Sequence, residues 1–276
     1  MKRHDLKRLP AHLILIVVCV AWIYPFIWML STSFKSSREM FTNILTLIPS
    51  EPSWDNYERA WTSAKFGQFT INTLVVALGV AALVVIISSL AGYALGRGDM
   101  PGKKVIIGVL VATMFLPKGY TILPTYILIN AMGLNNTLFG VILAEAGPAH
   151  IVAILLFTGY FANLPKELEE AAMMDGAGHW RIFWRIMLPL SKPVAATNFL
   201  FNFLNAWNAF LIPLVFTLGA PDLRTLGVGM YAFFGDNAID WTGLAAGGVI
   251  AVLPIIVVFL FLQRYFVEGI AGAVRG

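Results

Sequence analysis

Four stretches of this chain, 11–34, 66–96, 193–221 and 241–263, contain no Asp, Glu, Lys or Arg. Each is at least as long as the roughly 20 apolar residues that carry an α-helix across a bilayer. This limits the fold severely, because a backbone in hydrocarbon must satisfy its own N–H and C=O groups. Composition points the same way. Of 276 residues, 58% are hydrophobic and 12% charged, about half the charge of a soluble domain. The net charge of +4 fits the Lys and Arg that membrane proteins collect in cytoplasmic loops. The single cysteine, Cys19, excludes an intrachain disulfide and any zinc pattern.

Two further crossings are expected between Lys104 and Lys166. One is about 105–127, interrupted by Lys118. The other is about 138–163, interrupted by Glu145 and His150. Lys118 follows about 21 Å of helix and can snorkel towards the far interface. Pro117 and Pro124 kink or end that helix. The expected fold class is therefore all-α integral membrane with six transmembrane helices, at 11–34, about 68–96, about 105–127, about 138–163, about 193–217 and about 241–263. The first has the basic start of a signal peptide, Met1-Lys2-Arg3. Its apolar run is about twice as long as a signal core, and Trp22, Tyr24 and Trp28 stand near its end. It reads as an uncleaved helix.

Basic residues set the orientation. With the N-terminus inside, Lys2, Arg3, Lys7, Arg8, Arg97, Lys103, Lys104, Lys166, Arg181, Arg185, Lys192, Arg264 and Arg275 share one side. Lys35, Arg38, Arg59, Lys65, Lys118 and Arg224 share the other. The bias puts both termini, the tails 1–10 and 265–276, in the cytoplasm. It leaves 35–65, with "SEPSWDNYERAW", and 218–240 outside. No internal repeat, Walker A pattern, HExxH or dinucleotide glycine fingerprint is present.

The passage 165–193, "PKELEEAAMMDGAGHWRIFWRIMLPLSKP", interrupts the oil on the inner side. Pro165 suits a first helical turn, and Glu167, Glu169 and Glu170 suit its positive end. Leu168, Ala171 and Ala172 fall on one face, where the alanines allow close approach. Gly176 stops the helix. A second short helix is predicted from about His179 to Leu188, with Trp180, Phe183, Trp184, Met187 and Leu188 on one face, ended by Pro189. Its composition suits the membrane interface. A plain helix connection takes about 2–8 residues. This one spends far more, in defined turns, which favours a docking element over a linker.

"EAAMMDGAGHWRIFWRIMLPLSKP" resembles the EAA loop of ABC importer permeases: EAA, three residues, Gly, nine residues, Ile, one residue, Leu-Pro. Glu170, Ala171, Ala172, Gly176, Ile186, Leu188 and Pro189 stand at matching places, and Asp175, Ala177, Phe183, Leu190 and Pro193 fit the carbohydrate-importer version. "NAWNAFLIPL", "LPKGYTILPTYILINAMGLNNT" and the closing "QRYFVEGIAGAVRG" are similar to the maltose-permease-like group. One departure is Ala209, where that group often has Glu. The resemblance implies a type I ABC importer permease with an EAA coupling loop at 164–192 within a core at 66–264. Implied partners are a second homologous permease, a cytoplasmic ABC ATPase dimer and an extracytoplasmic solute-binding protein, but no nucleic acid. The cargo is a sugar or oligosaccharide and the place a bacterial or archaeal-type inner membrane. Glu170, Ala171, Ala172, Met173, Asp175 and Gly176 become the ATPase-coupling residues. ATP and Mg belong to the partner. This chain is no enzyme and holds no catalytic residue, metal or cofactor.

Asn198, Asn202, Asn205 and Asn208 lie within about 120° of one another on a helix in the fifth span. Amides in a membrane are costly unless they face protein, water or substrate, and they suit hydroxyl-rich ligands. Asn202, Asn205, Asn208 and the neighbouring Trp207 are the candidate substrate pathway. Hydrogen bonding between helices explains the stripe equally well. Glu145 and His150, five residues apart, need not pair. A relay role is weaker than a peripheral Glu and a neutral, hydrogen-bonded His. Gly92 and Gly96 in "GYALG" have the spacing of tight helix packing. An ion-coupled carrier would want midplane charges and an inverted repeat. A membrane enzyme would want a cluster that the scattered His4, His12, His150 and His179 do not supply. The same importer class carrying a polyol or glycerol phosphate is the nearer alternative.

Overall fold

The computed structural model describes residues 3–115, 118–147, 150–235 and 239–273. Among these the regular structure is all helical, apart from an isolated bridge between Phe234 and Ile239. Two compact units emerge: Met1–Gly67 with Gly229–Pro254, and Gln68–Val228 with Ile255–Gly276.

In the first unit, α1 (Arg3–Thr32) is followed by α2 (Ser37–Thr42) and α3 (Asp55–Thr62). The side chains of α1 from Leu13 to Leu30 are mostly exposed, as those of a lipid-facing helix are. The segment after it is not an open loop. Lys35 is 1% exposed, and its ammonium donates to the carbonyls of Asn43 and Thr46 and to the Thr46 hydroxyl. A buried ammonium is tolerated only when acceptors surround it in this way. Ser36 caps α2 through the Glu39 N–H, and the Glu39 carboxylate accepts from the Ser50 N–H and hydroxyl. The Asn56 amide donates to the carbonyls of Ser33 and Lys35. Phe34, Trp54 and Tyr57 close the knot, their ring centroids 4.9 to 5.4 Å apart. Arg59 pairs with Asp240 at 2.9 Å. Burial draws the Asp240 carboxyl up, but the Gly243 N–H, Arg59 and Thr242 outweigh it and hold it below its ordinary value.

In the second unit, α4 (Phe66–Arg97), which starts in the first, is followed by α5 (Lys103–Thr113), α6 (Ile122–Ala131), α7 (Leu138–Ala146) and α8 (Ile151–Ala162). Next come α9 (Glu167–Met174), α10 (His179–Ile182), α11 (Leu188–Leu190), α12 (Lys192–Trp207), α13 (Leu211–Phe216) and α14 (Leu226–Gly229). Finally α15 (Trp241–Ala273) carries Pro254 in its interior, and belongs to the first unit up to that proline and to the second beyond it. Among the described residues three helices are long and apolar enough to cross a membrane: His12–Thr32, Phe66–Arg97 and Trp241–Phe261. A fourth crossing results if α7 and α8, bent by 61°, count as one.

The other two expected stretches run in pieces. At about 1.5 Å per residue neither α5 nor α6 spans hydrocarbon alone. Pro117, expected to break that helix, lies outside the described residues, and Lys118 begins a 3-10 turn. Pro124 sits in the first turn of α6, where its missing N–H has no partner to lose. The fifth stretch breaks between Trp207 and Leu211.

Polar contacts tie α4 to the chain at its start. The Asn72 amide donates to the carbonyls of Asp222 and Arg224, and the Thr73 hydroxyl accepts the Leu226 N–H at 2.7 Å. Towards its other end, Gly92 and Gly96 bring its backbone against α8. A Cβ on Gly92 would stand 2.4 Å from that of Phe157, and one on Gly96 2.9 Å from the Thr158 carbonyl. The paired glycines are a packing device.

Candidate functional site

The run from Leu164 to Leu190 forms two short helical arms against the ends of α4 and α8. No side chain caps α9. Arg97, the last residue of α4, organises its entry instead. Its Nη1 donates to the Leu164 carbonyl, its Nη2 to the Pro165 carbonyl and its Nε to Glu169, each at 2.9 Å. The Arg97 and Glu169 side chains are 8% and 12% exposed. The acidic first turn expected to favour the helix dipole is thus partly consumed by a buried ion pair. Pro165 precedes the helix rather than opening it, and Lys166 takes the cap position.

At its far end α9 closes as a helix with a left-handed terminator does. The Ala177 N–H reaches back to the Ala172 carbonyl at 2.9 Å, and Gly176 adopts φ +76°. That is the region glycine enters without steric cost. Nothing lies within 4 Å of a Cβ built there, so backbone conformation, not crowding, selects glycine.

The second arm departs from expectation at Pro189. The helix does not stop; it widens into a π turn over Phe183–Met187, the Leu188 N–H reaching the Phe183 carbonyl, and continues to Leu190. A proline lacks the N–H and crowds the carbonyl four residues back, and a π turn relaxes that clash. The expected face also divides. Phe183 and Met187, with Ile182, are buried against Phe157, Phe161 and Ala172, while Trp180 and Trp184 are exposed. Tyr93 places its ring between Phe161 and Phe183, at 5.7 and 5.4 Å.

This packing sorts the candidate coupling residues. Glu170, Ala171, Met173, Asp175 and Gly176 are exposed together, next to Met174 at 89%. Ala172 points inward at 8%, so the expected alanine pair serves two surfaces: Ala171 the outside, Ala172 this chain's own core.

The asparagine stripe straddles the edge of the buried face of α12. Asn198 and Asn202 are buried, and their amides donate to the carbonyls of Val194 and Asn198 on their own helix. Asn205 and Asn208 are exposed, and the Asn208 amide donates to the Leu204 carbonyl at 2.8 Å. Trp207 is 3% exposed and stacks on Phe203 at 5.5 Å. It stands about 170° around the helix from the centre of the Asn205–Asn202 edge, on the opposite, buried side. In the bent stretch, a His150 ring nitrogen lies 3.3 Å from the Glu145 carbonyl oxygen, at the start of α8.

Sequence reasoning missed Arg97, counting it only as a charge that sets orientation. Its one signal was position: the sole base at the end of a long apolar helix, facing a stretch rich in acids. Lys35 was missed in the same way.

Long apolar helices, broken ones elsewhere in the chain and a polar helix pair fastened to the ends of α4 and α8 mark a multi-pass membrane protein of the transporter kind. The chain belongs to the binding-protein-dependent transport system inner membrane components, whose family profile matches residues 6–272. It is 34% identical over 265 residues to a diacetylchitobiose uptake system permease protein of Streptomyces coelicolor, covering 96% of this chain and 86% of that one. It is 35% identical over 263 residues to a melibiose/raffinose/stachyose import permease protein of Bacillus subtilis, covering 95% and 94%. A solved bacterial ABC transporter involved in the import of the acidic polysaccharide alginate has a chain that superposes with a TM-score of 0.82 at 24% identity, covering 96% of this chain and 99% of that one. With the family match, that likeness shows the fold, that of a type I ABC permease.

Proposed function

We propose that this chain is the membrane-spanning permease subunit of an ATP-driven importer for a sugar or oligosaccharide. It crosses an inner membrane six times, at the stretches given above, with both termini in the cytoplasm. A second homologous permease completes the pathway. A pair of ABC ATPase subunits binds ATP and Mg on the cytoplasmic side, and an external solute-binding protein delivers the cargo. This chain itself holds no cofactor. Kinship with the diacetylchitobiose and melibiose/raffinose/stachyose permeases supports the cargo class.

One observation carries the coupling role: the exposed patch of Glu170, Ala171, Met173 and Asp175, closed by a glycine at positive φ. The acids meet basic groups on the ATPase and Ala171 permits close approach. Ala172 holds the helix in place from behind. Asn205 and Asn208 are the pathway candidates that the fold leaves exposed. Asn202 and Trp207 support the wall behind them.

The test is Gly176→Val beside Gly176→Asn, in liposomes carrying the purified complex with radiolabelled diacetylchitobiose or melibiose. A β-branched residue at positive φ costs about 1–3 kcal/mol, whereas Asn visits that region readily. The Val variant should hydrolyse ATP while uptake falls roughly tenfold, about 1.4 kcal/mol in the coupled step. The Asn variant should retain most uptake. Equal uptake by all three proteins would remove α9 from the coupling step.

A further inference from the structure

We propose that Arg97 is a positioning residue of the coupling site: it locks α9 to the end of α4 so that the two move as one body. The inference rests on the importer reading for what drives α9, and on geometry alone for the lock.

Arg97 spreads one planar group over three acceptors, the carbonyls of Leu164 and Pro165 and the Glu169 carboxylate, each at 2.9 Å. These lie on both sides of the junction between the approach to α9 and its first turn. Ala172 seats the middle of α9 on the buried cluster around Phe161 and Phe183, but without these bonds nothing polar would fix its entry, and the helix could rock on residues 163–166. A guanidinium suits this task because its donors are fixed in one fork; an ammonium is a single point on a flexible stem.

Burial makes the lock stiff. At 8% and 12% exposure the pair is screened little by salt, and removing one partner strands a charge away from water. The base of the lock is also firm. Immediately before it Gly96 lies against α8, and one turn back Tyr93 wedges its ring between Phe161 of α8 and Phe183 of the second arm. A push on the exposed side of α9 therefore reaches α4 through Arg97 rather than being absorbed at the connection. Glu169 stands one residue before the EAA triplet and belongs to this internal lock, whereas Glu170 faces out.

The experiment is a distance measurement inside the chain, in the purified complex in nanodiscs. Spin labels are placed at Met174→Cys on α9 and Ile87→Cys on α4, both exposed, in a Cys19→Ser background. Wild type should give one narrow distance distribution, unchanged between nucleotide-free protein and protein trapped with MgATP and orthovanadate. Arg97→Gln should widen it by about twofold and shift it on trapping, with Arg97→Lys in between. Glu169→Gln, which keeps the side-chain volume, should widen it less than Arg97→Gln. The double variant should be no worse than Arg97→Gln, the non-additivity of a single unit.

A wild-type distance that changes on trapping, or an Arg97→Gln distribution as narrow as wild type, overturns the proposal. Loss of Arg97→Gln protein leaves Glu169→Gln to decide, and a Glu169→Gln distribution as narrow as wild type then overturns it. A purified complex without any ATPase subunit overturns the importer reading instead, while the nucleotide-free widths still decide the lock.

Discussion

At Gly92 the space for a single methyl group is missing. A Cβ there would meet the Phe157 Cβ at 2.4 Å and the Thr158 nitrogen at 2.9 Å, so α4 and α8 touch backbone to backbone. Overpacking such a contact costs about 1–3 kcal/mol. Gly159, on the same α8, has nothing within 4 Å of its Cβ position. Gly92→Leu should therefore lower the melting temperature of the solubilised chain by several degrees, and Gly159→Leu should leave it nearly unchanged. Tryptophan fluorescence during a thermal ramp reads both. The four-residue spacing in "GYALG" announced close packing from sequence alone. It did not name the partner, because Gly92 and Phe157 are distant in the chain. The same holds for Arg97 and Glu169, 72 positions apart: no local pattern joins them. Gly176 was legible, because a terminator after a short acidic helix has a local cause. The inward turn of Ala172 was not, because it depends on which face Ile182 and Phe183 occupy.

Among the elements, the stretch from Lys35 to Thr62 shows how much structure a polar passage can hide. Its acids, prolines and aromatics read as an external loop, yet α2 and α3 are held there by side chains bonded to backbone. Lys35 is the centre, satisfying the carbonyls of Asn43 and Thr46. Lys35→Met keeps the apolar stem and removes the donors. The Asn43 carbonyl keeps the Thr46 N–H and hydroxyl, while the Thr46 carbonyl loses the ammonium, and a lost hydrogen bond of this kind costs about 0.5–1.5 kcal/mol, more where the donor is charged. That variant should expose residues 36–54 to proteinase K, added outside sealed vesicles, at least several-fold faster than wild type, with other cleavage sites unaffected. An unchanged digestion rate would mean the ammonium is dispensable. Periodicity finds helices by their apolar faces. Here the holding forces are single polar contacts, which leave no periodic trace.

On the scale of the whole molecule, hydropathy located the apolar stretches but not their continuity. It counts residues and does not see where a backbone stops being helical. The stretch at 193–217 carries no charge at all, yet it breaks after Trp207 and resumes at Leu211, with no side-chain cap on the new start. The first N–H groups of a helix have no partner within it, and lipid offers none. An uncapped start inside an apolar stretch therefore needs water beside it. In deuterium oxide the amides of Leu211 and Ile212 should trade their hydrogens within minutes, while those of Phe199–Phe203, about two to three turns earlier in the same oily segment, hold theirs for hours. Mass spectrometry of overlapping peptides would trace that wet notch, and so mark how deep solvent penetrates the protein.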